Sequence, residues 1–325
     1  MQAGFDAHFG PRTARPRLLP LRLTADDRAV EYAEAELRTA YHRDGFVVVP
    51  GLLPRADVLR LRSHAEAMVA DERDDRTAGY VQRAYDRQGK VKLIKASGLA
   101  EQDPLFAELA MHDRLVDVVE TLLGRGARRF RDVMVVKPAR TGGAFSYHQD
   151  SAYWDVEPKS LVSCWIGLGD VSEDASCLRV VPGTHAHEIE HGLYLNGRYQ
   201  VPAFITRTLR RLVSLAGTGD NPRGAGGNLM AWKAKRWVLT KTTRYVPMFF
   251  DLQDFRLPLT AVASATEKAL PVRAGDVIFF HSLLWHASGP NQADTARFAE
   301  IISYMGPEAR FVGRGDGQFP VARRM

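Results

Sequence analysis

The sequence predicts a mainly β fold with flanking helices, an antiparallel sandwich or barrel packed against a helical lead-in. Three observations point there. Short apolar runs at 130–137, 144–150, 161–168, 177–182, 276–281 and 297–305 are separated by turns, without regular helix alternation between them. Ahead of these runs, apolar residues recur at helical spacing. The chain of 325 residues, 45% hydrophobic and 25% charged, has ordinary globular composition and can bury a core without staples.

Taken in order, residues 1–27 are rich in Arg and Pro without a clear period, and are expected to form a loosely ordered arm before a single domain over 28–325. Residues 29–43 read as a helix, and 45–51 (Gly-Phe-Val-Val-Val-Pro-Gly) as a short strand closed by Pro50 and Gly51. Over 56–72, Val58, Leu59, Leu61, Ala65, Met68 and Val69 mark one buried helix face. The pattern repeats over 105–123, and Gly124 is a C-terminal stop. The first third is thus expected to be largely helical. Between the later runs, about 187–270 is irregular, with a Gly/Asn-rich patch at 217–228, and reads as a long insertion serving as a lid or substrate element.

Charge and cysteine usage exclude several classes. Much of the net charge of +6 lies at the ends, in Arg12, Arg15, Arg17 and Arg22 and in Arg310, Arg314, Arg323 and Arg324; with no basic recognition helix, no nucleic-acid partner is expected. No stretch reaches the roughly 18 apolar residues a bilayer span needs, so no membrane partner is expected either. Cys164 and Cys177 sit in no C-x-x-C pair, which removes a disulfide framework or a thiolate zinc site and fits a reducing cytoplasm.

The chemistry concentrates in two segments. In Tyr147-His148-Gln149-Asp150, residues two apart on an extended segment face the same way, so His148 and Asp150 converge while Gln149 turns aside. An imidazole and a carboxylate are two thirds of the two-histidine, one-carboxylate triad that binds non-haem iron(II) and leaves positions open. The second segment, 275–291, carries His286, and Arg297 follows eleven residues later. His286 completes the triad, and the planar fork of an arginine grips a carboxylate in bidentate fashion. Arg297 opens an alternating strand with Ala299, Ile301 and Ser303 on its face. A cation aimed into an apolar interior calls for an anionic partner, the bland alternative being a structural salt bridge. Iron(II) with such an arginine suits a five-carbon keto-diacid, 2-oxoglutarate.

These strings, His148-Gln149-Asp150-Ser151, Trp165, Pro182-Gly183-Thr184-His185, Gly275-Asp276 leading into Phe280-His281, and His286-Ala287-Ser288-Gly289-Pro290-Asn291 with Arg297, resemble the phytanoyl-CoA dioxygenase family. The opening Asp44-Gly45-Phe46-Val47-Val48-Val49-Pro50-Gly51 is similar too, and the likeness covers about 38–186 and 270–305. The resemblance implies a double-stranded β-helix (jelly-roll, cupin-like) core, Fe(II) at His148, Asp150 and His286, and 2-oxoglutarate at Arg297, with O2 as oxidant. It further implies co-substrate contacts from an upstream lysine (Lys95, with Lys92 close by), the strand tryptophan Trp165, and Ser288. The segment 187–270 is longer than the family pattern. A halogenase of this architecture would carry Gly or Ala in place of Asp150, so oxygen transfer is expected.

Other readings compete. His187-Glu188-Ile189-Glu190-His191 fits H-E-x-x-H, a zinc-peptidase signature that needs a helix; Pro182-Gly183 before it and Gly192 after it argue against one. His281 shares a segment with His286, but lacks the Ser-Gly-Pro-Asn context and the arginine at the right distance. Tyr153 and Trp154 line the pocket or pack in the core. Lys233, Lys235, Arg236, Lys241 and Arg244 clamp an anionic substrate or form a solvated face. The expected function is dioxygenation, most simply hydroxylation of an unactivated C–H bond of a small molecule, anionic or acyl-conjugated, in a setting such as natural-product biosynthesis. The rival class is a jelly-roll sensor that binds a metal or organic acid without turnover.

Overall fold

The computed structural model describes residues 34–70, 81–195, 199–200, 255–262 and 265–312, apart from positions 87, 142, 155 and 258. The arm at 1–27, the basic cluster Lys233 to Arg244 and most of the 187–270 segment lie outside the described residues.

Helices α1 (Glu34–Asp44) and α2 (Arg55–Ala70) flank strand β1 (Phe46–Val49). A hairpin of β2 (Val81–Tyr85) and β3 (Val91–Ser97) follows, then helices α3 (Pro104–Ala110) and α4 (Asp113–Leu123). Strands β4 (Arg128–Lys137), β5 (Phe145–His148), β6 (Val156–Glu157), β7 (Leu161–Gly167) and β8 (Leu178–Val181) come next. After β9 (Gly192–Leu195), β10 (Tyr199–Gln200) and β11 (Phe255–Arg256) come β12 (Lys268–Leu270), β13 (Val277–His281), β14 (Trp285–Ser288), β15 (Arg297–Met305) and β16 (Arg310–Phe311).

The chain forms a jelly roll. A seven-stranded sheet has the order β1-β13-β7-β15-β4-β3-β2 and a four-stranded sheet the order β12-β8-β14-β5. From β12 onward the chain alternates between the sheets: β12 in the small one, β13 in the large, β14 in the small, β15 in the large. Period-two alternation then sorts side chains into two cores. Ala299 and Ile301 of β15 meet Phe46, Trp165, Ile278 and Phe280, together with Cys177, Leu178 and Val180 from the small sheet. On the opposite face Phe298, Ile302 and Tyr304 pack against Leu37, Val58, Phe106 and Leu115 from the helices. Covered on both sides, the β15 stretch Arg297–Met305 is buried at eight of nine positions.

Two expectations need correction. The apolar period over 105–123 belongs to two helices: Pro104 starts α3, with Asp103 accepting from the Leu105 and Phe106 amides, and the chain turns at Met111 and His112 before α4. Hydrophobic spacing runs on across that turn, so the period alone does not register it. The first third is also less helical than expected, because the β2–β3 hairpin extends the large sheet beside β4. Its residues mix charge with short apolar pairs and show no clean alternation.

Glycine is required at the turn into β13. Gly275 has φ +103, and a Cβ there would stand 2.5 Å from the Leu53 carbonyl oxygen. That close backbone approach fixes where β13 begins.

Candidate active site

Strands β5 and β14 are antiparallel neighbours in the small sheet, with His148 directly opposite His286. The two rings lie 4.2 Å apart by centroid. Each imidazole has its Nδ1 committed to the carbonyl two residues earlier: His148 to Ser146 and His286 to Leu284, both at 2.9 Å. With Nδ1–H as donor, Nε2 keeps a bare lone pair, the form in which a histidine ligates metal. Gln149 is extended (φ −111, ψ 132) and Asp150 opens a short 3-10 turn, Asp150–Tyr153. That turn carries Asp150 Oδ1 to 3.7 Å from His148 Nε2 and 3.5 Å from His286 Nε2. One donor atom from each of the three residues lies within 4.8 Å of the others. Among the described residues this is the one His/Cys/Asp/Glu group whose donors converge in this way.

The surroundings suit a cation. Burial, and then His286, take His148 down to about 3, so its ring is neutral near pH 7. Burial alone would raise Asp150, but His286 and His148 beside it and a hydrogen bond from Ser163 outweigh that and bring it down to about 2. The Ser163 hydroxyl donates to Asp150 Oδ2 at 3.0 Å and stands 3.0 Å from the Ser303 hydroxyl. One carboxylate oxygen is thereby held and Oδ1 is left facing the histidines.

Gln149, between His148 and Asp150, is fully buried on the other side. Its amide N–H donates to His191 Nε2 at 2.8 Å, and its side chain donates to the His187 and Leu283 carbonyls and accepts from the Ile189 amide. The H-E-x-x-H string is therefore an irregular segment, not a helix, and His191 serves as an acceptor for the Gln149 amide just before the Asp150 turn. His281 packs against Tyr41 and His185, and its Nδ1 accepts from the Leu283 amide, away from the triad. Tyr153, 41% exposed, meets the His148 ring edge-on at 6.0 Å, whereas Trp154 is buried against Phe130.

In the large sheet two basic side chains stand side by side. Arg297 is 4% exposed; its Nη1 donates to the Val135 carbonyl at 3.4 Å, its guanidinium lies 5.7 Å from the Trp165 ring, and its Nε has no partner. Burial lowers it to about 10, which leaves it charged. Directly across the β15–β4 register stands Lys137, with no exposed surface. Its Nζ reaches the Ser288 hydroxyl at 2.7 Å, the Gly289 carbonyl at 2.6 Å and the Ser176 hydroxyl at 2.8 Å. Neither cation is in an ion pair with an acid among the described residues. Lys95 lies on the Val135 side of β3 with its Nζ 4.9 Å from the Phe145 ring centre, while Lys92 falls on the opposite face by alternation. A register slip between His286 and Ser288 sets Phe145 opposite Ser288. Lys137, Ser163 and the Gln149–His191 pair escaped the sequence reading. A lysine closing the apolar run Val133–Val136 was the one available signal.

The profile of the phytanoyl-CoA dioxygenase family matches residues 41–218 and 219–299. The human peroxisomal phytanoyl-CoA dioxygenase is 24% identical over 287 residues, covering 85% of this chain and 70% of its own. L-proline trans-4-hydroxylase from Streptomyces griseoviridis is 27% identical over 208 residues, 56% of this chain and 75% of that one. Among solved structures, the non-haem α-ketoglutarate-dependent epimerase SnoN from nogalamycin biosynthesis superposes with TM-score 0.60 at 21% identity, over 90% of this chain and 99% of that one. EctD from S. alaskensis with bound Fe gives 0.57 at 20% identity, over 92% and 85%. No helix among the described residues is long and apolar enough to cross a membrane.

Proposed function

The chain belongs to the phytanoyl-CoA dioxygenase family and is a 2-oxoglutarate-dependent non-haem iron dioxygenase, and from that premise we propose that it hydroxylates an unactivated C–H bond of a small molecule. His148, Asp150 and His286 hold the Fe(II), and Arg297, Ser288, Trp165 and Lys95 form the co-substrate side. One observation carries this reading: three donors converge on the small sheet, and the core that packs against His286 through Phe280 also holds Trp165, over which lies a buried guanidinium whose Nε has no partner among the described residues. The donor set fits iron(II), since two imidazole nitrogens and a carboxylate on one side leave the other positions open.

Bound Fe(II) with 2-oxoglutarate and O2 supplies an oxidant able to take hydrogen from an aliphatic C–H bond as the keto-acid becomes succinate and CO2. The protein's part is positional. Ser146 and Leu284 carbonyls aim the histidines, Ser163 orients Asp150, and Arg297 receives the far carboxylate. Tyr153, beside His148 and partly exposed, stands where a substrate enters. The relatives bear the names of phytanoyl-CoA, L-proline and ectoine, so both acyl conjugates and small polar metabolites are within reach, natural-product intermediates included. Two buried free cysteines suit a reducing cytoplasm.

Anaerobic addition of Fe(II) and then 2-oxoglutarate should give a weak visible charge-transfer band, and admission of air should release succinate. A panel of acyl-CoAs, amino acids and natural-product scaffolds, scored by stimulated succinate release, then finds the substrate. A protein that binds the keto-acid with the metal chelated away, and never forms succinate, would be a sensor instead.

A further inference from the structure

The ε-nitrogen of Lys137 is surrounded by oxygens whose donor and acceptor roles can be assigned. Gly289 O, a carbonyl, only accepts, at 2.6 Å. Ser176 gives its own proton to that same carbonyl at 2.6 Å, so toward Lys137 it presents a lone pair, at 2.8 Å. As an ammonium, Lys137 thus has two of its three protons committed. The third goes to the Ser288 hydroxyl at 2.7 Å, with the Ser288 carbonyl a longer neighbour at 3.2 Å. Accepting from Lys137, Ser288 must point its own proton elsewhere, and no acceptor for it is found among the described residues. Ser288 is itself only 7% exposed, so that O–H is a buried donor with no acceptor among the described residues.

The second observation is independent. Arg297, across the strand pair from Lys137, has a buried Nε with no partner. Burial and the neighbouring Arg297 charge hold the Lys137 amine well below its ordinary value, and two buried basic groups with no acid beside them among the described residues call for an anion. The groups facing Lys137 are Arg297 on β15, the Phe145 ring on β5 at 5.1 Å, Ser288 and Gly289 at the end of β14, and Cys177 beside Ser176. None brings a negative charge near neutrality, since burial pushes the Cys177 thiol up to about 11.

Resting on the co-substrate reading above, we infer that Lys137 is a positioning residue that turns the Ser288 hydroxyl into a hydrogen-bond donor for the far carboxylate of 2-oxoglutarate. A charged Lys137 donates to Ser288 and frees its proton for the ligand; an uncharged amine would take that proton instead. The arriving carboxylate, lying between Arg297 and Ser288, supplies the counter-charge that lets Lys137 hold the ammonium form. Lys137 touches no reacting atom: it acts through Ser288.

The test uses the full chain with Fe(II), without oxygen, and two probes: 2-oxoglutarate, and 2-oxobutanoate, which keeps the metal-chelating head and lacks the far carboxylate. Calorimetric titration of Lys137→Met should show 2-oxoglutarate weakened at least tenfold and 2-oxobutanoate within twofold of wild type. Ser288→Ala should match it, and the double variant should be no weaker than the weaker single one, because the lysine works through the serine. Wild-type affinity in Lys137→Met, equal losses for both probes, or losses that multiply would each overturn the inference. Should the methionine variant not fold, Lys137→Gln keeps a donor for Gly289 but offers Ser288 an amide oxygen. The same selective loss is expected there, and unchanged 2-oxoglutarate binding overturns the inference equally. A wild-type protein that holds Fe(II) but takes neither probe sinks the co-substrate reading itself and this inference with it, an outcome distinct from a variant that binds as wild type does.

Discussion

The Ser163 hydroxyl sits on β7 in the large sheet, yet its hydrogen bond ends on Asp150 in the turn after β5 of the small sheet. It fixes which carboxylate oxygen faces the histidines. Replacing it by alanine removes about one hydrogen bond to a charged group and leaves Asp150 free to rotate, and partners of this kind are worth roughly 10- to 100-fold in metal affinity. Ser163→Ala should therefore weaken Fe(II) binding by about that factor while leaving the unfolding midpoint of the metal-free protein nearly unchanged. Competition with a chromophoric chelator measures it; wild-type metal affinity would show that Asp150 needs no such support. At this scale the convergence of His148, Asp150 and His286 was legible because metal ligation restricts residue type so tightly. Lys137 and Ser163 were not, because their partners, main-chain oxygens, hydroxyls and the Asp150 carboxylate, lie 13 to 152 residues away, and only the fold brings those together.

At the junction of α1, β1 and β13 three histidines meet. His281 packs against Tyr41 and His185, and His185 Nε2 lies 3.1 Å from the His42 carbonyl. Burial, with His185 and His42 adding repulsion, lowers His281 to about 4, and burial lowers His185 too despite Asp44 nearby. The fold thus keeps His281 neutral where the unfolded chain, with an ordinary value of 6.5, takes a proton. More protons bound in the unfolded state means that stability rises with pH. Stability should be complete above about pH 6.5 and decline as pH falls toward 4, by as much as about 3 kcal/mol from His281. Urea unfolding at pH 7.0 and 4.5 would show it, and His281→Gln should flatten the slope; a slope unaltered by that substitution would assign the acid sensitivity elsewhere. This corner is also where local sequence was most informative, since Gly45 and the Val47-Val48-Val49 run mark β1 without help. The hairpin β2–β3 and the turn between α3 and α4 were not visible locally: the first owes its strands to pairing with β4, and the second interrupts a helix without interrupting its apolar period.

Across the whole molecule, the candidate site is divided between the two sheets. His148 and His286 belong to neighbouring strands of the small sheet, with Asp150 in the turn that follows, whereas Arg297 and Lys137 face each other in the large one. An antiparallel sandwich or barrel was legible in the runs of short strands, and the jelly roll in the family resemblance, but this division was not, since it depends on β14 leaving the large sheet between β13 and β15. The division has a thermodynamic consequence. Metal alone ties together strands already hydrogen-bonded to each other, while a chelating diacid reaching Arg297 joins one layer to the other. A ligand at about 100 times its Kd adds about 2.7 kcal/mol to the native state, worth roughly 5 °C in a protein of this class. Fe(II) and 2-oxoglutarate together should therefore raise the anaerobic melting temperature by roughly that amount, and 2-oxoglutarate without metal by far less, because half of its anchor is then missing. In Arg297→Ala the metal shift should persist while the keto-acid increment disappears. Equal shifts with and without metal would mean that the diacid binds away from the triad, and the two sheets would then have no ligand in common.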